Sequence, residues 1–327
     1  MSELWTELSK QLADRWLSLL VLPGLLFLGV AAAAHTLGNQ HPFDAELLVR
    51  TITAEAKNPV VTGTSGQILL LVAVLLAAAA AGVVAQAIGV FVERVVLASG
   101  WTAWPVPAAW LVRRWVCLRR LRWDHADRLY DGELQRALLP DPADRPDPAV
   151  RQAAAGRRAR IAPERPERPT WTGDRIQAAV LRLDRDHHVD LAVVWPALER
   201  VLPDGLCGDI ANARAAMARA VTLAGWAVLY AFLTWWWWPG ALIAVVLASA
   251  ARLRMRAGAD QYARLLETAG RLYVPTLAST LGIDHTGPLD RELGTAVTEQ
   301  LRTESPRPGP ADEPARRWWM WWYRGVS

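Results

Sequence analysis

ILLLVAVLLAAAAAGVVAQAIGVFV, residues 68 to 92, is an uncharged apolar run in which Gln86 is the only strongly polar side chain. A hydrocarbon core of roughly 30 Å is crossed by about 20 helical residues. Soluble helices seldom carry so long an uncharged run on all their faces. The run therefore predicts a membrane-spanning helix, and a lipid solvent for the segments that pack beside it.

Three further apolar segments predict spans at 16–34, 220–238 and 239–256. The first is interrupted only by the pair Pro23-Gly24, which can kink a membrane helix without ending it. The last is short before Arg252, but arginine side chains near a helix end can snorkel to the interface. The predicted fold class is an all-α integral membrane protein with four transmembrane helices as two hairpins and a helical cytoplasmic cap.

The distribution of basic residues predicts the orientation. The loop at 35–67 holds only Arg50 and Lys57, whereas most of the 36 Lys and Arg residues lie between the second and third spans or after the fourth. The positive-inside rule then places 35–67 outside and both termini in the cytoplasm. Arginine far exceeds lysine, which is typical of a high-GC genome.

The ends of the chain each predict an interfacial segment. Residues 1–15 repeat leucine every four residues, as in an amphipathic helix lying on the inner interface. The alternative for the first apolar run is a cleaved signal peptide ending near Ala34. The tail at 305–327 is proline-rich and then aromatic and basic, which predicts either a flexible membrane anchor or a partner-binding peptide.

The cytoplasmic part divides by composition. Tryptophan and arginine predict interfacial helices at 93–139, and seven prolines predict a linker at 140–170 around a short Ala-Arg helix near 150–161. Helical patterns at 171–219 and 257–304 predict the cap. Side chains expected at the membrane interface are Arg113, Arg114, Arg119, Arg120, Trp235, Trp236, Trp237, Trp238, Trp318, Trp319, Trp321 and Trp322.

The second span is also the predicted place of helix association. Small residues from Ala77 to Gly82 allow close helix contact, and Gln86 can hydrogen-bond between helices or face a pore. Glu93 and Arg94 follow directly, either as a membrane boundary or as a coupled pair. The predicted partners are the lipid bilayer with its anionic headgroups, a second copy of the chain and an unidentified protein, with no nucleic acid.

Catalytic signatures are not found in the sequence. It has no glycine-rich phosphate loop, nucleophile elbow, zinc-binding cysteine pair or metalloprotease motif, so no catalytic residue, metal or cofactor is predicted. The group from Asp184 to Asp190 lacks the spacing of a zinc site. The loop residues His35, His41, Asp44, Glu46 and Glu55 have ordinary polar composition, and Cys117 and Cys207 are expected to be free thiols.

Four stretches carry a resemblance to uncharacterised actinobacterial multi-pass membrane proteins: Trp195-Pro196 to Leu202-Pro203-Asp204, Thr222 to Trp226, the Trp235–Pro239 turn and the helix from Tyr262 to Leu272. The resemblance covers the C-terminal half and the hairpin ends. It implies a location in a bacterial cytoplasmic membrane, and it implies no activity or site residues.

Two functions of different classes follow from these patterns. The first is a membrane-anchored scaffold or signalling component that binds protein partners at the inner leaflet, which suits the large cytoplasmic share and the lack of catalytic motifs. The alternative is a homo-oligomeric ion channel or effector pore lined by the second span.

Overall fold

The computed structural model describes residues 21–56, 63–97, 101, 104–139 and 147–302. These residues form ten α-helices and no strand. In chain order the helices are α1 Leu22–Leu37, α2 Ala45–Ala56, α3 Thr64–Leu97, α4 Val106–Ala137, α5 Pro148–Ile161, α6 Trp171–His187, α7 Leu191–Leu198, α8 Asp204–Leu233, α9 Pro239–Thr280 and α10 Arg291–Leu301. The predictions for 1–15 and for 305–327 lie outside the described residues.

Two of these helices are long and apolar enough to cross a bilayer. They are α3 and α8, judged by length and composition alone. The helix predicted over 68–92 is confirmed as the body of α3, whereas the segment predicted at 220–238 is the second half of a longer helix that ends at Leu233. An all-helical protein with two candidate spans is therefore what the structure shows.

The other two predicted spans differ from a standard span in length. The described part of 16–34 belongs to α1, which is 16 residues long and continues to Leu37. The segment 239–256 is the start of α9, which runs on without interruption for 42 residues, so its apolar part is only the first third of one long helix. The predicted external loop also contains a helix, α2.

The described chain falls into two compact units. The apolar unit contains the described residues up to Val92 together with Ala218–Arg254, and the polar unit contains the described residues of Glu93–Met217 and those from Met255 onward.

Small residues hold the apolar unit together. A stripe of buried small residues runs down α3 at helical spacing: Ala78, Gly82, Ala85 and Gly89. A Cβ built on Gly24 would lie 2.1 Å from the Ala78 carbonyl oxygen, and one on Gly225 would lie 2.0 Å from that of Ala85. Only glycine permits such a close approach, so α1 and α8 both pack backbone to backbone against α3.

Aromatic rings and polar turn groups close the apolar unit at the α8–α9 turn. The Phe27 ring meets the Tyr230 ring edge to face, with 5.2 Å between the centroids. Beyond α1, the Asn39 side chain accepts a hydrogen bond of 2.8 Å from the backbone N–H of Trp238, and the Trp237 indole donates to the Pro42 carbonyl at 3.0 Å. The turn predicted at the four tryptophans is confirmed.

The polar unit is a helical bundle with capped helices. Side chains at the N-termini of α5, α6, α7 and α10 each accept a hydrogen bond from the first turn, namely Asp147, Thr170, Asp190 and Asp290. These residues satisfy backbone donors that a helix start leaves unpaired. The pair α4 and α5 packs together, and α10 packs against α6 and α7.

Candidate functional site at the end of the long apolar helix

The segment between α5 and α6, residues 162–170, is called the strap. Its sequence APERPERPT places Pro163, Pro166 and Pro169 at every third position. Proline has no backbone N–H, so this segment has nine carbonyl acceptors but only six backbone N–H donors. The sequence alone suggested a loose linker here, and the structure corrects that interpretation, because Ala162, Pro166, Arg168 and Pro169 are buried.

Side chains on one face of α4 supply the missing donors. The Trp115 indole N–H donates to the Pro169 carbonyl at 3.0 Å, and the Trp123 indole N–H donates to the Ala162 carbonyl at 3.1 Å. Indole and guanidinium groups carry only donors, so they match a backbone rich in acceptors. Arg119 donates to the carbonyls of Arg168 and Ile161, and Arg120 donates to the Pro166 carbonyl. Trp101, which precedes α4, donates to the Glu167 carbonyl.

The structure separates the arginines of α4 that were expected at the membrane interface. Arg113 and Arg114 are exposed, whereas Arg119 is only 8% exposed and Arg120 is half-buried. Arg119 and Arg120 lie on the same face as Trp115 and point to the strap. In the folded chain these two guanidinium groups bind carbonyls of the strap and of Ile161, so we do not propose a headgroup role for them.

A buried ion pair joins the strap face to the start of α6. The Arg119 guanidinium lies 2.8 Å from the Asp174 carboxylate. The other carboxylate oxygen of Asp174 accepts hydrogen bonds from the backbone N–H groups of Glu167 and Arg168, at 3.0 and 2.8 Å. Burial raises the pKa of the Asp174 carboxyl, and the positive charge of Arg119 opposes that shift. One carboxylate thus orders both α4 and the strap.

The strap also caps the C-terminal end of α3. The Arg168 guanidinium donates to the Leu97 carbonyl at 3.2 Å, and the Thr170 hydroxyl donates to the Val96 carbonyl. The last carbonyls of a helix lack partners within the helix, and a cation there complements the helix dipole. Gly173 in the first turn of α6 permits the approach, because a Cβ there would lie 3.2 Å from the Val96 carbonyl oxygen.

Arg168 is the most deeply buried charge of this junction. It is 5% exposed, and burial lowers its pKa to about 10. Its Nε donates to the Gln177 side-chain carbonyl, and the Gln177 amide donates to the Glu167 carboxylate at 2.7 Å. The network consists of donors matched to acceptors and contains no nucleophile beside a general base. Its chemistry is that of a structural network that links the last turn of α3, α4, the strap and α6 within the polar unit.

The residues expected to mediate contacts along α3 take different environments. Gly82 is buried in the small-residue stripe, whereas Gln86 is exposed on its flank. Glu93 is half-buried and Arg94 is exposed in the last turns of α3. Gly82 therefore has a packing role within the chain, and Gln86 is available to lipid or to another molecule.

The tryptophans of the α8–α9 turn are partly engaged within the apolar unit. Trp235 and Trp236 are 85% and 57% exposed, whereas Trp237 is half-buried and Trp238 meets the Phe43 ring edge to face at 5.7 Å. Trp318, Trp319, Trp321 and Trp322 lie outside the described residues.

The acidic and histidine residues from 184 to 190 form a helix boundary. His188 ends α6 in the left-handed conformation with φ of 55°, and the Asp190 carboxylate caps α7 by accepting from the Ala192 N–H at 3.0 Å. Among the described residues no group of three or more His, Cys, Asp or Glu side chains is arranged to hold a metal ion. In the loop before α2, Asp44 accepts from the Leu47 N–H, and Glu46 pairs with Arg50.

The strap was missed from the sequence because its partners lie about 40 to 75 residues away, on α4 and α3. The proline period of three was the available signal, since that period matches the pitch of an extended polyproline helix. No protein-family model, curated protein or solved structure matches this chain. The resemblance to actinobacterial multi-pass membrane proteins therefore stays a prediction.

Proposed function

We propose that this chain is a multi-pass protein of a bacterial cytoplasmic membrane that acts as a membrane-anchored scaffold or signalling component. The polar unit would lie in the cytoplasm and bind protein partners at the inner leaflet. The observation that carries the proposal is the strap junction, at which a helix with an exposed apolar surface ends among the buried polar side chains of a folded unit.

The surface of α3 supports the membrane location. In its most apolar window only 17% of the residues are buried within the chain. Leu69, Leu76 and Phe91 are 74%, 67% and 67% exposed. Exposed apolar area costs roughly 25 cal/mol per Å² in water, so a helix of this kind is stable only when lipid or protein covers it.

The four-span topology is the finer part of the proposal. The proposed spans are α1, the Ile68–Val92 part of α3, the second half of α8 and the first part of α9. Arginines around α4 and after Ala251 then lie on the cytoplasmic side, as the positive-inside rule requires. Both termini share that side.

The junction favours a scaffold over an isolated anchor. The carbonyls at the end of α3 are capped from within the polar unit by Arg168 and Thr170. A partner bound to the polar unit is therefore joined to the proposed span through one continuous helix, α3. A disordered linker would also tether the polar unit to the span, but without a continuous helix between them.

The channel alternative has less support in the described residues. Between Ile68 and Val92 the side chains that face away from the apolar unit are Leu, Val, Ala and Phe, with Gln86 as the one strongly polar group. Permeation paths are normally lined by several polar groups or by carbonyls. A pore built from several copies of α3 would be almost wholly apolar.

Cysteine accessibility tests the topology. Cys117 and Cys207 both lie in the polar unit. A membrane-impermeant maleimide should label Cys207 only after the cells are permeabilised, and it should not label Cys117 in intact cells. In a Cys117→Ser, Cys207→Ser background, the exposed α2 position Val49→Cys should be labelled in intact cells. Labelling of Cys117 in intact cells would reject the proposed orientation.

Photo-crosslinking and flux together test the function. A photo-reactive residue placed at exposed positions of the polar unit, such as Arg200 and Glu292, should give a discrete adduct with another protein in cells. The same residue at Val49 is the control and should give none. Reconstituted protein should not conduct ions across liposomes. Ion flux that is lost in Gln86→Leu, or the absence of adducts from the polar unit, would overturn the scaffold.

A further inference from the structure

Helix α4 has a second face, opposite the one that holds the strap. It is called the outer face and consists of six apolar side chains at helical spacing that are 47% to 83% exposed: Val106, Trp110, Leu111, Leu118, Leu121 and Leu129. Trp115, Arg119 and Trp123 occupy the opposite side of the same helix. The helix is therefore engaged within the chain on one side and uncovered on the other.

The charges beside the outer face are mostly positive. The exposed basic residues along α4 include Arg113, Arg114, Arg122 and Arg128. Of the four acidic residues of α4, Asp124, Asp127 and Glu133 are paired with Arg165, Arg158 and Arg136, and Asp131 is exposed. The Arg114 guanidinium lies 5.0 Å from the centre of the Trp110 ring. Aromatic and arginine side chains beside leucines are typical of a helix lying in the headgroup region of a bilayer.

We infer that the outer face of α4 binds the anionic phospholipid surface of the inner leaflet. This inference rests on the proposed membrane function. The choice of occupant follows from charge, because the flanking arginines attract anionic headgroups and would repel the same face of a second copy. Chain length agrees, since the nine residue-to-residue steps from Leu97 to Val106 span at most about 30 Å, so α4 begins near the end of α3.

Cys117 lies within the outer face and provides a native reporter. It is exposed and free. In the full-length Cys207→Ser protein, a spin label on Cys117 is compared in bilayers of phosphatidylcholine alone and with about one third phosphatidylglycerol. With the anionic lipid, the label should become accessible to oxygen and protected from a water-soluble nickel chelate. Arg113→Glu with Arg114→Glu should reverse this shift, and Leu118→Glu with Leu121→Glu should abolish it.

Two labelled controls separate the outcomes, each in a Cys117→Ser, Cys207→Ser background. A label at Glu292→Cys on α10 should stay aqueous in both lipids. A label at Ala80→Cys, exposed on α3, should be lipid-accessible in both.

If the Ala80 label is aqueous, the membrane function itself fails. If it reports lipid while the Cys117 label is aqueous in both compositions, only the present inference fails. Spin–spin broadening at Cys117 that persists without anionic lipid would assign the face to a second copy and would also overturn the inference.

Discussion

The Asp174 carboxylate lies 2.8 Å from the Arg119 guanidinium, and the two side chains are only 5% and 9% exposed. Replacing one member of a buried ion pair leaves the other charge without compensation, which costs about 3 to 5 kcal/mol. We expect Asp174→Asn to lower the free energy of unfolding by about that amount, measured by denaturant titration of the detergent-solubilised protein. Asp186→Asn, whose pair with Arg185 is exposed, should cost at most about 1 kcal/mol. Equal losses would contradict the role assigned to Asp174.

The strap should loosen when its indole donors are removed. Trp115→Phe and Trp123→Phe each delete one hydrogen bond to a strap carbonyl, worth about 1 kcal/mol. Both variants should increase cleavage by a glutamate-specific protease after Glu164 or Glu167, since proteolysis reports local opening. Trp110→Phe, on the outer face, is the matched control and should cleave at the rate of the unmodified protein. Unchanged cleavage in the strap variants would show that these bonds do not order the segment.

The sequence of α4 predicts its helical structure but not the direction in which each arginine points. The helix and its density of Trp and Arg were visible, but composition alone does not tell which arginine faces which side. Arg113 and Arg119 have the same chemistry, and they are distinguished only by the strap carbonyls that lie some 50 residues further along the chain. The long apolar run on α3 was easier to recognise, because apolar character on all faces needs no knowledge of a partner.

Close packing of α8 on α3 depends on Gly225. A Cβ there would lie 2.0 Å from the Ala85 carbonyl oxygen, so Gly225→Ala must push the two helices apart, at a cost of about 1 to 3 kcal/mol. Gly208→Ala in the same helix has nothing within 4 Å and should instead stabilise by about 0.5 to 1 kcal/mol through helix propensity. Thermal unfolding in detergent should move in opposite directions for the two variants. A lower melting temperature in both would point to a general effect of the substitution.

Two buried tyrosines should respond oppositely to loss of their hydroxyl groups. The Tyr230 hydroxyl has no hydrogen-bond partner among the described residues, so Tyr230→Phe should leave stability unchanged or raise it by about 1 kcal/mol. The Tyr262 hydroxyl accepts a hydrogen bond of 3.0 Å from Arg214, so Tyr262→Phe should lower stability by about 1 to 2 kcal/mol. Denaturant titration of both variants measures this. A loss in Tyr230→Phe as large as that in Tyr262→Phe would indicate a partner for Tyr230.

Acid should weaken the polar unit through Asp260. Burial alone would raise the pKa of its carboxyl, but hydrogen bonds and charges from Arg264 and Arg175 outweigh burial and hold the pKa below the ordinary 3.8. The unfolded chain then takes up the proton first as pH falls, so the stabilisation present above pH 3.8 is lost as pH falls through the lowered pKa. Asp260→Asn should show a smaller acid-induced loss of stability than the unmodified protein. An identical pH profile would show that Asp260 does not contribute to the acid-induced loss of stability.

The positions of turns were easier to predict from the sequence than the contacts between distant segments. The Trp235–Trp238 turn is where proline and glycine indicated it, because those residues act locally. The helix α2 was missed in a loop judged by its polar residues, although Asp44 caps it. The group from Asp184 to Asp190 lacks the spacing of a zinc site, but its place at the junction of α6 and α7 could be seen only in the fold.

The three prolines of the strap have a consequence for aggregation. In an extended strap, Pro163 and Pro169 would lack an N–H on one edge and Pro166 on the other, so neither edge could form a complete β-ladder with a neighbouring chain. Until the strap docks on α4 during folding, it is therefore protected from pairing with other unfolded chains. In the folded protein these prolines leave the strap dependent on tryptophan and arginine donors. Before folding, the same prolines disfavour its aggregation.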